Sequence, residues 1–202
     1  RIMLALHVRQ LRPYQRLLYE SRRLLSTGPD NLKYDLSTYG NVLGGEIGDP
    51  KALETFRVWH TAISKSGGTV DVKEMLAPHV SDDIVFHPPT YFKPWKGKGE
   101  FLVLMEAVSE VFGDSFEYGR QWISPTGHDW ALEFNAQIGD SGKGITGIDL
   151  VKLDDEGRIL DFMVLARPPS GVALLKEHMM KKVPKRMIKL KAKQAMSSIF
   201  GS

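Results

Sequence analysis

An acidic residue inside an apolar segment is the first candidate for chemistry in this sequence. Asp149 lies in "GITGIDLVKL", between Ile148 and Leu150, where residues alternate as in a β-strand. If its side chain faces the protein interior, loss of water raises the pKa of the carboxyl group and makes it a candidate general acid or base. The alternative is that Asp149 faces outward or caps a backbone group.

Two more titratable side chains, His87 and Tyr91, lie close together in "FHPPTYF". Both could take part in proton transfer. An aromatic, proline-rich loop also packs well without any chemistry, so these residues alone leave both interpretations open.

Polar residues in other apolar segments have structural explanations. Glu133 in "ALEFN" and Arg167 in "LARP" could be buried together as an ion pair across a sheet. Trp59 and His60 lie on the first predicted helix, and we interpret them as core residues that line a pocket.

Several kinds of site are not predicted. The chain has no cysteine, and its six histidines show no metal-type spacing, so we expect no metal site. Gly142, Gly144 and Gly147 surround a β-turn and do not connect a strand to a helix, so they do not form a phosphate loop. No cofactor is predicted.

The predicted elements change from helical to strand periodicity along the chain. A helix is expected to begin at Asp49 and Pro50, and a second long amphipathic helix ends at Gly113. Four alternating segments with short turns then predict an antiparallel sheet, so the class is α+β. A last helix is expected to begin near Ser170 and to be interrupted at Pro184.

The charge is unevenly distributed. Residues 1–29 carry six Lys or Arg and one acid, residues 170–202 carry eight and one, and residues 30–169 carry 13 and 22. We therefore predict a basic N-terminal arm and linker (1–49), an acidic α+β domain (50–181) and a basic C-terminal helix (182–202).

Three segments resemble a known superfamily: residues 81–100, 130–138 and 147–168. They are similar to strands and loops of the nuclear transport factor 2-like superfamily, in particular its SnoaL-like branch, over about residues 50–181. The resemblance implies a cone-shaped fold, in which helices pack on a curved antiparallel sheet and enclose a pocket.

The resemblance implies two kinds of function. Some members are isomerases, dehydratases or cyclases in which His, Tyr and Asp side chains polarise a carbonyl and move a proton; others are assembly modules without chemistry. The catalytic residues implied for an enzyme are Asp149, His87 and Tyr91, and the implied pocket residues are Trp59, His60, Glu133 and Arg167. Residues 129–168 contain no Arg-x-Asp, so epoxide hydrolysis is not expected.

The N-terminal arm has the composition of a mitochondrial presequence. It is rich in Arg and Leu, poor in acids, and contains "RRLLST". We predict a mitochondrial protein, on the matrix side or associated with the inner membrane, that has kept this arm.

Two basic ends that bury little apolar surface of their own are expected to become ordered only on another molecule. The leading hypothesis is a non-catalytic accessory subunit of a large mitochondrial assembly, for which a respiratory complex or ATP synthase fits better than the ribosome because the domain is acidic. Other protein subunits rank first as partners, an anionic membrane surface second and RNA third. The alternatives are a SnoaL-like enzyme and a module that holds a small molecule or lipid in the cone. The predicted partner-binding residues are Arg9, Arg12, Arg16, Arg22, Arg23, Lys185, Arg186, Lys189 and Lys193.

Overall fold

The structure, a computed structural model, describes residues 41–43, 47–64 and 71–200. All of these residues belong to one compact unit within residues 36–202. The predicted N-terminal arm, with Arg9, Arg12, Arg16, Arg22 and Arg23, lies outside the described residues. Within the described part, no helix combines the length and apolarity that a membrane span requires.

Helices and strands follow one another in the predicted α+β order. The helices are α1 (Pro50–Ser64), α2 (Val72–Leu76), α3 (Lys98–Phe112) and α4 (Pro169–Phe200). The strands are β1 (Asn41–Leu43), β2 (Val80–His87), β3 (Trp95–Lys96), β4 (Glu117–Ile123), β5 (Asp129–Gln137), β6 (Gly144–Leu153) and β7 (Ile159–Arg167).

The described strands form one curved seven-stranded sheet in the order β1-β4-β5-β6-β7-β2-β3. Strands β4 to β7 are antiparallel neighbours, as the short turns predicted, and β2 pairs in parallel with β7. One difference concerns residues 41–43, which fall within the predicted N-terminal arm and linker (1–49). They form β1, which pairs in parallel with β4 and so satisfies backbone groups along that strand.

Helix α1 begins where the sequence predicts. The Asp49 side chain accepts a hydrogen bond from the backbone N–H of Lys51 at 2.9 Å, which satisfies a donor that the first helical turn leaves free. The helix buries Leu53, Phe56 and Trp59 at helical spacing. Burial of each such side chain stabilises the fold by about 1.5–3 kcal/mol.

Helix α4 is continuous through Pro184, so the predicted interruption is wrong. Proline inside a helix lacks a backbone N–H and costs about 3 kcal/mol relative to alanine. Val183, directly before the proline, and Met187, about one turn after it, are each only 8% exposed. Their packing against the domain offsets the unfavourable proline.

Helix α4 also packs on α3 of the same chain. Lys182 and Arg186 contact Glu110 of α3 at 2.9 and 2.6 Å, and Arg186 contacts Glu106 at 3.1 Å. The basic tail was expected to become ordered only on a partner, but acidic residues of its own domain bind this part of it. Lys185, Lys189 and Lys193 remain exposed.

Gly147 on β6 is packed too tightly to carry a side chain. A Cβ atom there would lie 2.5 Å from Cζ of Phe134 and 2.6 Å from the backbone oxygen of Leu165. We expect Gly147→Ala to lower the free energy of unfolding by about 1–3 kcal/mol, because a paired backbone oxygen cannot move aside without disturbing the sheet. Urea denaturation measures the change.

The matched control for this prediction is Gly144→Ala on the same strand. There a Cβ atom would meet only the backbone oxygen of Ala136, at 3.7 Å. This variant should differ from the wild type by about 0.5 kcal/mol or less. Equal effects of the two variants would contradict the packing argument.

Candidate functional site

A large cavity lies between the inner face of the sheet and helices α1, α3 and α4. Its volume is about 580 Å³, which is within the range of small-molecule binding sites. Most of its wall is apolar, and the aromatic and methionine side chains in it include Trp59, Phe86, Phe112, Phe134, Phe162 and Met179.

Asp149 lies in the wall of this cavity. Every second residue of β6 faces inward, so Asp149 shares the inner face with Ile145 and Val151. Its side chain is buried, with 5% of the residue exposed. Asp149 is the single carboxyl group among the described residues that line the cavity.

Burial changes the acidity of this group. Removal from water raises the pKa of Asp149 from 3.8 to about 8, and a hydrogen bond from Tyr118 opposes the increase. At neutral pH the carboxyl group is therefore mostly protonated, while a minor ionised fraction is a stronger base than an ordinary aspartate.

A short chain of hydrogen bonds holds Asp149 at the cavity wall. Trp59 Nε1–H donates to the Tyr118 hydroxyl at 2.6 Å, and that hydroxyl donates to Asp149 Oδ2 at 3.3 Å. Burial and the neighbouring carboxyl group raise the pKa of Tyr118, so its hydroxyl stays protonated and remains a donor. Sequence reasoning missed Tyr118, although it lies in the alternating segment that became β4.

An irregularity in β4 brings Tyr118 to the inner face. The register shifts between Tyr118, which pairs with Phe134, and Gln121, which pairs with Leu132. Residues 118 and 121 would face opposite sides of a regular strand. Because of the shift, both lie opposite inward-facing residues of β5.

Tyr118→Phe is expected to move the titration of Asp149 upward by about one pH unit, since it removes the hydrogen bond that favours the ionised carboxylate. The ¹³C chemical shift of the Asp149 carboxyl group, recorded as a function of pH, gives the midpoint of this titration. Tyr91→Phe is the control, because the Tyr91 hydroxyl contacts Met180 and not Asp149. A titration that stays in place or moves downward would contradict the hydrogen-bond assignment.

His87 and Tyr91 do not join Asp149 in one cluster. His87 is adjacent to Phe86, which faces the cavity, so the histidine projects from the opposite side of β2. There its Nε2 lies 3.2 Å from Asp161 Oδ2. Tyr91 lines the cavity but is 41% exposed, and its hydroxyl contacts the sulfur of Met180 at 3.1 Å.

Glu133 and Arg167 lie on the outer face of the sheet and do not form the predicted buried pair. Glu133 alternates with the buried Leu132 and Phe134, and its partner is Arg120 at 2.8 and 2.9 Å. These hydrogen bonds lower the pKa of Glu133 to about 2. Arg167 lines a separate shallow depression next to β5 and β6.

His60 is a buried core residue beside the cavity wall. Its Nδ1 lies 2.7 Å from the backbone oxygen of Phe56, and its Nε2 lies 2.6 Å from the side-chain amide of Gln121. Burial lowers the pKa of His60, so the ring is neutral at neutral pH. Trp59, predicted with it, lines the cavity and contacts Tyr118.

The arrangement can bind an apolar molecule and exchange a proton with it. A carboxyl group whose pKa lies near neutrality can both accept and donate a proton without a large energetic penalty. Among the described residues, no group of three or more His, Asp or Glu side chains is placed to hold a metal ion.

Two solved structures are similar to this chain over most of their length. A steroid delta-isomerase from Pseudomonas aeruginosa is 33% identical, with a TM-score of 0.61, over 69% of this chain and 96% of that protein. An uncharacterized protein with a cystatin-like fold, conserved in bacteria, from Silicibacter pomeroyi is 30% identical, with a TM-score of 0.59, over 68% of this chain and 92% of that one.

No protein-family model matches the chain, and no curated protein matches it. The identity to the two solved structures, over more than nine tenths of each, is nevertheless high enough to establish the relationship. The fold agrees with it, since helices cover one face of a curved, mostly antiparallel sheet. The chain belongs to the nuclear transport factor 2-like superfamily.

Proposed function

We propose that this chain is an isomerase that moves a proton between two carbon atoms of an apolar, carbonyl-containing small molecule. The observation that carries the proposal is that Asp149, which is buried, is the single carboxyl group among the described residues that line a mostly apolar cavity of about 580 Å³. Sites of this kind bind the apolar body of a ligand and act on it with a few polar groups.

The proposed reaction uses Asp149 as a proton shuttle. Its ionised form accepts a proton from the carbon next to the substrate carbonyl, and the electron pair left behind is delocalised into that carbonyl. The protonated carboxyl group then returns the proton to a different carbon, so the double bond moves and no atom is gained or lost. A pKa of about 8 suits a group that must both accept and donate near neutral pH.

Tyr118 and Trp59 have a positioning role in this proposal. The Tyr118 hydroxyl donates to Asp149 Oδ2 and leaves Oδ1 free of any hydrogen bond within the described residues. Trp59 donates to the tyrosine oxygen and so directs the tyrosine proton toward the carboxylate. The reactive carboxyl oxygen is thereby held in one orientation against the cavity.

The similarity to a steroid delta-isomerase supports the substrate class, because that protein is 33% identical to this chain. Steroids are mostly apolar and are therefore complementary to the aromatic wall of this cavity. A dehydratase or cyclase would use the same carboxyl group, but the named activity of a similar protein favours isomerisation.

The direct experiment mixes the full chain with a steroid that carries a 3-ketone and an unconjugated neighbouring double bond. Conjugation of the ketone produces a strong ultraviolet absorbance, so turnover is read continuously. We expect a rate that is proportional to protein concentration and above the uncatalysed rate. Binding of the steroid without turnover would indicate a binding protein and would contradict the isomerase proposal.

The accessory-subunit hypothesis stays a prediction. It rests mainly on the arginines of residues 1–29, which lie outside the described residues, and on the basic surface of α4. The observation it requires is migration of the protein with a larger mitochondrial assembly on a native gel.

A further inference from the structure

Two lysines lie at the opening of the cavity. Residues that both line the cavity and are exposed to solvent mark this opening, and they are found in the segment between β2 and β3 and on α4. They include Tyr91, Lys93, Lys176 and Met180. The deep wall, by contrast, is formed by buried aromatic residues.

Neither Lys93 nor Lys176 forms an ion pair with a carboxylate of the described residues. The nearby lysines of α4 do, since Lys181 contacts Glu177 at 2.7 Å and Lys182 contacts Glu110 at 2.9 Å. The Lys176 ammonium group instead lies 4.6 Å above the ring of Tyr91. Its charge is thus held at the opening by a cation–π contact that leaves it able to meet an anion.

Among the described residues of the cavity wall, no negative charge balances these two cations. Their one carboxyl group is Asp149, and burial keeps that group mostly protonated at neutral pH. The opening is therefore positive and the interior is apolar and nearly neutral. This distribution is complementary to a molecule with an acidic end and an apolar body.

We propose that the natural substrate is an anionic amphiphile, whose carboxylate or similar acidic group binds Lys93 and Lys176 at the opening while its apolar body fills the cavity. The inference rests on the proposed function, because it treats this cavity as the substrate site. It adds the charge of the substrate and its direction of entry.

The direction follows from solvation. A carboxylate placed against the aromatic wall would lose its water without gaining a charged partner, which is strongly unfavourable. At the opening it keeps some water and meets two ammonium groups. The apolar end must then enter first, so the part of the substrate farthest from its acidic group reaches Asp149 and Tyr118.

The test compares dodecanoate with dodecanol, which share one apolar chain and differ in charge, by isothermal titration calorimetry on the full chain. We expect dodecanoate to bind about tenfold more tightly at low salt, with the difference decreasing as salt screens the charges. In the double variant Lys93→Gln plus Lys176→Gln, dodecanoate should lose this advantage and dodecanol should bind as before.

Lys185→Gln plus Lys189→Gln is the matched control, because it removes the same charge from exposed lysines of α4 that neither line the cavity nor pair with a carboxylate of the described residues. It should keep the preference for dodecanoate. Equal binding of the two probes by the wild type, or a preference that survives in the Lys93 and Lys176 variant, would overturn the inference and leave the isomerase proposal standing. Absence of steroid turnover with the charge preference intact would instead count against the isomerase proposal alone.

Discussion

Asp149→Asn is expected to lower the turnover number for the unconjugated 3-oxosteroid by about 10²–10⁴-fold, the usual contribution of a positioned acid or base. Asparagine has the shape of aspartate, and its neutral amide suits a site where the native carboxyl group is mostly uncharged. It cannot accept a proton from carbon and return it. The loss should therefore appear in kcat, while steroid binding, measured separately by calorimetry, changes little.

Asp129→Asn is the control for this experiment. Asp129 is an exposed carboxyl group at the start of β5 and does not line the main cavity. Its replacement should leave kcat within about twofold of the wild type. If Asp149→Asn also keeps its rate while remaining folded, the described cavity offers no other carboxyl base, and the proposed mechanism fails.

Asp149→Asn should also change how the free energy of unfolding depends on pH. Asp149 has a pKa of about 8 in the folded protein and 3.8 as the ordinary value, so between these values the folded state holds a proton that the unfolded chain has released. Wild-type stability therefore decreases as pH rises through this window, by up to about 1.4 kcal/mol per pH unit from this group. Below pH 3.8 the group is protonated in both states and contributes no slope.

Asparagine does not titrate, so the Asp149→Asn variant should gain stability relative to the wild type as pH rises from about 5 to 8. Urea unfolding at four pH values in this range gives the difference, in which the contributions of other titrating groups cancel. A difference between Asp149→Asn and the wild type that stays constant over this range would mean that the Asp149 carboxylate is ionised and solvated in the folded protein.

Both expectations derive from one property of the site. A buried acid that must ionise destabilises the fold at higher pH, and the same burial gives it a basicity useful for catalysis. Proteins often keep such locally unfavourable groups where they function. Asp149 is the described residue that best fits this pattern, because its neighbours Ile145 and Val151 on the inner face of β6 are both buried.

Local patterns were sufficient for the order of elements. The cap at Asp49, the glycine that ends α3 and the short turns between β4 and β7 all depend on residues close in sequence, and the structure agrees with each. Pro184 and β1 are exceptions. The effect of Pro184 on its helix depended on what Val183 and Met187 contact elsewhere, and β1 forms by pairing with β4, which is distant in the sequence.

The candidate site was less predictable. Asp149 was identified as a candidate acid or base from its apolar neighbours in the sequence. Both faces of β6 carry apolar residues, however, so alternation alone did not determine which face is buried. His87 was expected to act together with Asp149 and Tyr91, yet it lies on the other side of β2 from Phe86. Tyr118 reaches the cavity through a register shift between β4 and β5, which the alternation of residues within β4 does not reveal.

The amino-acid sequence by itself determined the α+β class, the antiparallel sheet and the presence of an acid within an apolar strand, because these follow from periodicity and turn chemistry over a few residues. Only the tertiary structure decided which face of the sheet is buried, and thereby which side chains meet at the cavity. The physical reason is that burial and pKa depend on contacts between strands and helices that are far apart in the chain. Asp149 loses its water, and its pKa rises, only when those elements have packed together.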